Sequence, residues 1–300
     1  MHVPPMLALR SVLLLDALDE TALDAATTSA ADAVAIDLAG LALHGRRREA
    51  RRVALRHAQA IAQAKRPVLA RVSDTRSGEL EADVEALTGE WLAAVMLPGA
   101  EAPQDARDAD VQIRMHEMRR GLPPGGIRLV PEVDSAEALL ALPRMLASVD
   151  RHSAVALDIA GLLDDLGAVE RAQVLIEHTM AQVAIAAHAT GVPWLVIPPR
   201  TSGGTLLVGS AHEAGAIGAV VAGEAAVRGM NALFTPAPAA VEAARAAVTA
   251  WDRRPNGTPL VRVEVRGETV VVDRRSISRS RRLVALADAI ARQEHVTSAR

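Results

Sequence analysis

Short apolar runs recur along the chain at 11–15, 33–38, 68–72, 93–97, 127–133, 154–159, 194–197 and 217–221. Each is almost continuously apolar rather than alternating, as strands buried on both faces of a parallel sheet require. Between them lie stretches of helical character, such as 46–64 and 169–190. The latter stops at Gly191 with Pro193 just beyond, a pairing that ends helices because glycine accepts left-handed backbone and proline lacks an N–H. Asp134 with Glu137 three residues later fits a capping box opening another helix, and Pro143 is expected to end or kink that helix early. Eight strand–helix alternations in about 235 residues match the size of a (β/α)8 TIM barrel. A doubly wound open sheet uses the same alternation, and one sequence does not give strand order; the count favours the barrel.

After Pro236 the pattern changes. Residues 239–251 read as a helix and 253–259 are turn-rich; 260–265 and 269–273 flank Gly267 as a β-hairpin, and a final amphipathic helix spans 276–293. The chain is therefore expected to divide into a barrel at 1–236 and a helix–hairpin–helix extension at 237–300. That extension is too small for a domain by itself and is expected to pack on the barrel or on a neighbouring subunit.

Composition narrows the chemistry. The 300 residues are 50% hydrophobic and 23% charged with a net charge of −3, which indicates neither a disordered nor a nucleic-acid-binding chain. The arginine runs at 46–48, continued by Arg51, Arg52 and Arg56, and at 274–282 read as solvated helix faces, because aromatic neighbours are missing. Cysteine is absent, which removes disulfides, cysteine-ligated zinc, iron–sulfur clusters and a thiol nucleophile. Tyrosine is absent too, and Phe234, Trp91, Trp194 and Trp251 are the only aromatics, so Ala, Val, Leu and Ile must build the core. The first apolar run, 6–15, is cut by Arg10 and followed by Asp16, Asp19 and Glu20, a poor signal-peptide core. No apolar stretch reaches the roughly 18 residues that span a bilayer. A soluble cytoplasmic protein is the default reading.

Barrel enzymes place their chemistry at the carboxyl ends of the strands and in the following loops. Lys65, the only lysine, precedes the third strand, at the wrong end for a Schiff base. The histidines show no HExxH-type spacing; His178 and His188 read as helix-surface residues, and His44, in the loop after the second strand, is the one in a catalytic location. What remains at the strand ends is Asp37, Arg71, Glu132 and Asp158. Converging carboxylates suit a hard divalent cation such as Mg2+, and an arginine beside them suits a planar carboxylate held at two points. The alternative is a set of structural ion pairs within the barrel. The loop Arg200-Thr201-Ser202-Gly203-Gly204-Thr205 follows the seventh strand. Its arginine and the free N–H groups of Gly203 and Gly204 at a helix start suit a phosphate, against the alternative of a plain turn.

The sequence resembles the citrate lyase beta-subunit-like group (CoA ester lyases) of the HpcH/HpaI aldolase family. The similarity runs through Arg10-Ser11-Val12-Leu13, Ala31-Asp32-Ala33-Val34-Ala35-Ile36-Asp37-Leu38, Arg48-Glu49-Ala50-Arg51 and Pro67-Val68-Leu69-Ala70-Arg71-Val72. It continues in Val95-Met96-Leu97-Pro98, Val130-Pro131-Glu132, Asp165-Leu166-Gly167, Gly215-Ala216-Ile217-Gly218 and Asn231-Ala232-Leu233-Phe234-Thr235-Pro236. The resemblance implies a (β/α)8 barrel, commonly a homotrimer, that cleaves or forms a carbon–carbon bond in citryl, malyl or citramalyl thioesters, some relatives hydrolysing the thioester instead. It implies Mg2+ on the keto-acid fragment and an acyl group carried as a thioester, leaving open whether its thiol belongs to coenzyme A or to an acyl carrier protein. Glu132 matches a metal-ligand position and Arg71 the arginine that grips the keto-acid carboxylate. Asp37 matches the first acid of the family's Asp-Leu-Glu-Asp stretch.

Departures from the family pattern cluster at the strand ends. Asp-Leu-Glu-Asp becomes Asp37-Leu38-Ala39-Gly40, and Leu-Pro-Lys becomes Leu97-Pro98-Gly99. The Glu-Asp pair after the sixth strand, which in the family supplies the second metal ligand, falls on Ala160-Gly161. The Gly-Lys and Ile-His-Pro segments fall on Gly218-Ala219 and Ala222-Gly223-Glu224, and Asp16-Ala17 replaces a Pro-Gly loop. Asp158 is the nearest substitute ligand, but three positions along a strand carry a carboxylate about 10 Å and to the other face. It can serve only where the backbone is irregular. Two readings follow: a carbon–carbon lyase with a modified Mg2+ site, or a catalytically inactive barrel that binds a ligand or assembles with a partner. A third keeps the pocket with His44 or Asp158 as a new acid–base group.

Overall fold

The computed structural model describes residues 7–40, 45–169, 172–200 and 204–298. The chain divides into two compact units, Leu9–Phe234 and Thr235–Arg300 with Met1–Ala8.

In the first unit the strands are β1 (Ser11–Asp16), β2 (Ala33–Asp37), β3 (Val68–Arg71), β4 (Leu92–Leu97), β5 (Arg128–Val133), β6 (Val155–Asp158), β7 (Trp194–Ile197) and β8 (Gly218–Val221). The helices are α1 (Glu20–Ala25), α2 (Arg47–Gln63), α3 (Leu80–Leu87), α4 (Pro103–Arg119), α5 (Ala136–Leu146), α6 (Ile159–Asp165), α7 (Gln173–Thr190), α8 (Gly204–Glu213) and α9 (Glu224–Phe234). All eight strands pair in parallel and in sequence order, and β8 closes on β1. The fold is a (β/α)8 TIM barrel, and closure decides against the open sheet.

Side chains alternate along each strand. Leu13, Val34, Ala70, Val95, Leu129, Val155, Val196 and Ala219 belong to the fully buried layer between strands and helices. Their in-between neighbours line the interior, which brings Asp37, Arg71, Glu132 and Asp158 to its carboxyl end. Small residues make this packing possible. A Cβ on Gly218 would stand 1.7 Å from the Leu9 carbonyl oxygen and 2.7 Å from its carbon, where β8 meets the chain entering β1. Backbone cannot move aside as a flexible side chain would. Gly218→Ala is therefore expected to destabilise the barrel by at least the upper end of the roughly 1–3 kcal/mol typical of overpacking, read as a shift in urea midpoint at unchanged slope.

Three local expectations are corrected. The helix expected over 169–190 begins at Gln173, because α6 forms directly after β6. The cap of α5 is Ser135, whose hydroxyl accepts from the Ala138 N–H at 3.1 Å; Asp134 turns elsewhere. Pro143 does not end that helix, which continues to Leu146; a proline so near the end removes a single hydrogen bond.

At the amino end of the barrel, Arg10 grips Asp32 through Nε and Nη2, both at 2.9 Å, and adds its backbone N–H to the same carboxylate. Ser11 Oγ donates to Asn231 Oδ1 at 2.7 Å and accepts from the Asp32 N–H at 3.2 Å. These residues tie β1, β2 and α9 together at the stability face of such a barrel.

The second unit contains α10 (Pro238–Asp252), β9 (Leu260–Val265), β10 (Glu268–Asp273) and α11 (Ser276–Ser298). The strands pair antiparallel around Arg266 and Gly267, both at positive φ (52° and 82°), as a two-residue primed hairpin turn requires. Ala247, Trp251, Val272 and Ile277 form its core. Arg254 stacks 3.7 Å over the Trp251 ring. Among the described residues, no helix is long and apolar enough to cross a membrane.

Candidate active site at the barrel mouth

Asp37 and Arg71 are register partners at the ends of β2 and β3. Arg71 reaches across the interior to Glu132 on β5, with Nε 2.9 and 3.1 Å from the two carboxylate oxygens and Nη2 2.8 Å from Oε2. Its Nη1 lies 3.4 Å from Asp37 Oδ1. Glu132 is completely buried (0% exposed). Burial pushes its carboxyl from the ordinary 4.5 to about 6; Arg71 opposes that rise, and the Asp158 and Asp134 carboxylates add to it. Burial pulls Arg71 down, but Glu132, Asp37 and Asp158 hold it above its ordinary value, so it remains charged.

Asp158 ends β6 and at once caps α6, its Oδ1 accepting from the Ala160 and Gly161 N–H groups, each at 3.1 Å. The strand does not continue past it, so the displacement expected of three strand residues does not arise. Position 161 instead lies one helical turn on, beside the cap. A Cβ placed on Gly161 would be 3.3 Å from Asp158 Oδ2 and 3.0 Å from the Asp134 Cβ. The Asp158 carboxylate thus lies directly beside the space that a side chain at 161 would enter.

Asp134 was missed as a site residue, although it stands two positions after Glu132 and so shares its face. Its Oδ2 accepts from the Gly99 N–H at 2.8 Å. Burial and then the Asp158 carboxylate push its pKa up, against that N–H. Gly99 has φ +62°, a conformation that strains any lysine placed there. Of the phosphate candidates, Arg200 is exposed after β7 and Gly204 opens α8. A Cβ on Gly204 would lie 2.5 Å from the Pro199 carbonyl oxygen, so close packing already accounts for that glycine. Gly203 and His44 lie outside the described residues.

The mouth therefore sets the carboxylates of Asp37, Glu132, Asp134 and Asp158 around the Arg71 guanidinium, with Asp16 at the end of β1 as the register partner of Asp37, and neighbouring acids raise the pKa of Glu132 and Asp134. That surplus is what a divalent cation offsets. Among the described residues, no group of three or more His, Cys, Asp or Glu side chains is arranged to hold a metal. Glu132 and Asp158 are carboxylates of the kind hard divalent cations take as ligands, and both oxygens of Glu132 are engaged by Arg71.

A closed barrel with acids and one arginine at the carboxyl ends of its strands is built as barrel enzymes are. The chain belongs to the HpcH/HpaI aldolase/citrate lyase family, which residues 10–219 match. No curated protein matches it in sequence. Among solved structures, it is similar to a citrate lyase from Burkholderia xenovorans LB400 at 14% identity and TM-score 0.68, over 99% of this chain and 97% of that one. CitE from Mycobacterium tuberculosis in complex with magnesium, acetoacetate and coenzyme A is 18% identical at TM-score 0.61, over 93% and 97%. A malate synthase from Haloferax volcanii is 15% identical at TM-score 0.65, over 79% and 77%. At these identities the likeness establishes the fold.

Proposed function

We propose that the protein is a carbon–carbon lyase acting on a hydroxyacyl thioester of the citryl, malyl or citramalyl type, with Mg2+ held by Glu132 and Asp158. The observation that carries this reading is the Asp158 carboxylate beside Gly161, the position at which the family's second ligand is missing. The CitE relative complexed with magnesium, acetoacetate and coenzyme A supports the ligand class, an acyl-CoA or acyl-carrier thioester and a keto acid. Bound Mg2+ would supply positive charge to the keto-acid oxygens as the carbon–carbon bond breaks.

The chain's own groups supply the rest. Arg71 spends Nε and one Nη2 hydrogen on Glu132 and one Nη1 hydrogen on Asp37, which leaves an N–H on each terminal nitrogen for a substrate carboxylate. Asp37 Oδ1 is engaged by the Ala39 N–H and Arg71; its Oδ2 takes the substrate hydroxyl proton. The bond between the hydroxyl-bearing carbon and the thioester α-carbon breaks, its electron pair passing to the thioester enolate. That carbon regains a proton from Asp37, giving an acyl thioester and a 2-oxo acid. Purified protein is expected to release 2-oxo acid from such a thioester only with Mg2+, and Glu132→Gln, checked for folding by its unfolding midpoint, to abolish turnover. Turnover that survives Glu132→Gln, or that ignores the cation, contradicts the proposal.

A second reading, an inactive barrel that binds a ligand or a partner, draws on the complete burial of Glu132 and its three contacts with Arg71, which suffice for a structural ion pair. It predicts no cation dependence in the binding of any keto acid or thioester.

A further inference from the structure

The two halves of the barrel mouth differ in chemistry. The β1, β2, β3, β5 and β6 ends carry Asp16, Asp37, Arg71, Glu132 and Asp158, whereas the interior positions at the ends of β7 and β8 are Ile197 and Val220, with Leu14 on β1 one pleat below Asp16. The two halves adjoin, because Asp158 and Ile197 are register partners. On the apolar side a cavity of about 360 Å³ opens between these strands and helices α8 and α9. Leu14, Ile197, Val208, Val220, Val221 and Met230 form most of its wall, and Arg200 and Thr205 are its only polar side chains among the described residues. A second carboxylate placed among these aliphatic side chains would lose its hydration, since the one cation among the described lining residues, Arg200, stands exposed at the rim.

We infer that this cavity receives an uncharged aliphatic chain on the 2-oxo acid fragment, so that the substrate yields an alkyl 2-oxo acid rather than a dicarboxylic one. The inference rests on Arg71 as the grip for the 2-oxo acid carboxylate, as proposed above, and narrows the substrate types named there. With the carboxylate on the charged half, the rest of the fragment extends toward the neighbouring strand ends, and on the β7 side these are apolar. Arg200, exposed beside the cavity, leaves the thioester side as the place for negative charge.

The test is a calorimetric titration of the full-length protein, with and without Mg2+, using pyruvate, 2-oxobutanoate, 2-oxohexanoate and oxaloacetate. Affinity is expected to rise about threefold to fourfold per added methylene until the cavity is filled, with oxaloacetate weaker than 2-oxobutanoate. In Leu14→Thr and Ile197→Thr the ratio of 2-oxohexanoate to pyruvate affinity should fall toward one. The wild-type series stands alone if a variant fails to fold. Affinity independent of length, a preference for oxaloacetate, or no binding of any of the four overturns the inference. A length series that is indifferent to Mg2+, in a protein without turnover, keeps the cavity and removes the lyase. Mg2+-dependent pyruvate binding and turnover without a length series do the reverse.

Discussion

Arg71→Gln is expected to destabilise the cation-free protein by roughly 3–5 kcal/mol at pH 8, the usual loss when one partner of a buried ion pair is removed. The reason is Glu132, which is fully buried and has Arg71 as the partner of both its oxygens. The loss should shrink as the pH falls, because Glu132 can escape by taking a proton. In the wild type its carboxyl already titrates near 6 instead of 4.5, so the folded state holds that proton more tightly than the unfolded chain. This group therefore lowers stability as the pH rises from about 4.5 to 6, by about 2 kcal/mol in all, and the deficit persists above that window. Removing Arg71 takes away the main influence holding the carboxyl down, and the window moves upward. Urea unfolding at pH 5 and pH 8 reads the difference, and adding Glu132→Gln to the variant should recover much of the loss at pH 8. An equal loss at both pH values would show that the charge on Glu132 is not responsible.

At Asp158 two substitutions separate structure from binding. Asparagine caps a helix about as well as aspartate, whereas alanine gives up about 1 kcal/mol. Asp158→Asn should therefore keep the α6 cap, where Oδ1 accepts from two N–H groups, and hold stability to within a few tenths of a kcal/mol. Cation affinity should nevertheless fall by more than the roughly 10- to 100-fold that follows loss of an outer-shell partner, in Asp158→Asn and Asp158→Ala alike. Unfolding midpoints paired with Mg2+ titrations give both quantities. A metal affinity unchanged in Asp158→Asn would leave this carboxylate with its capping role alone.

The barrel was legible in the sequence because strands covered on both faces must be apolar throughout, and eight such runs separated by helical stretches leave few architectures. Much of the family pattern concerns closure: Arg10, Ser11, Asp32 and Asn231 bond one another at the amino end, far from the chemistry. They signal the fold even in a chain whose strand-end residues depart from the family pattern.

The site was harder to read. Asp134 and Ser135 are both good capping residues, and only geometry shows that the serine takes the cap while the aspartate joins Glu132. The spacing of Asp158 and Gly161 was misjudged because a distance along a strand was applied where the strand has already ended. One helical turn brings together what an extended chain would hold about 10 Å apart. Asp134 and Asp158 supply charge to the mouth at positions that the family pattern does not mark.

The most direct measurement is a calorimetric titration of the protein with Mg2+, alone and in the presence of oxalate as a mimic of the keto-acid enolate. A site made by Glu132 and Asp158 predicts coupled binding, with oxalate tightening the cation and the cation tightening oxalate by the same factor. Absence of heat in both titrations, or oxalate binding indifferent to Mg2+, would contradict a metal-dependent lyase.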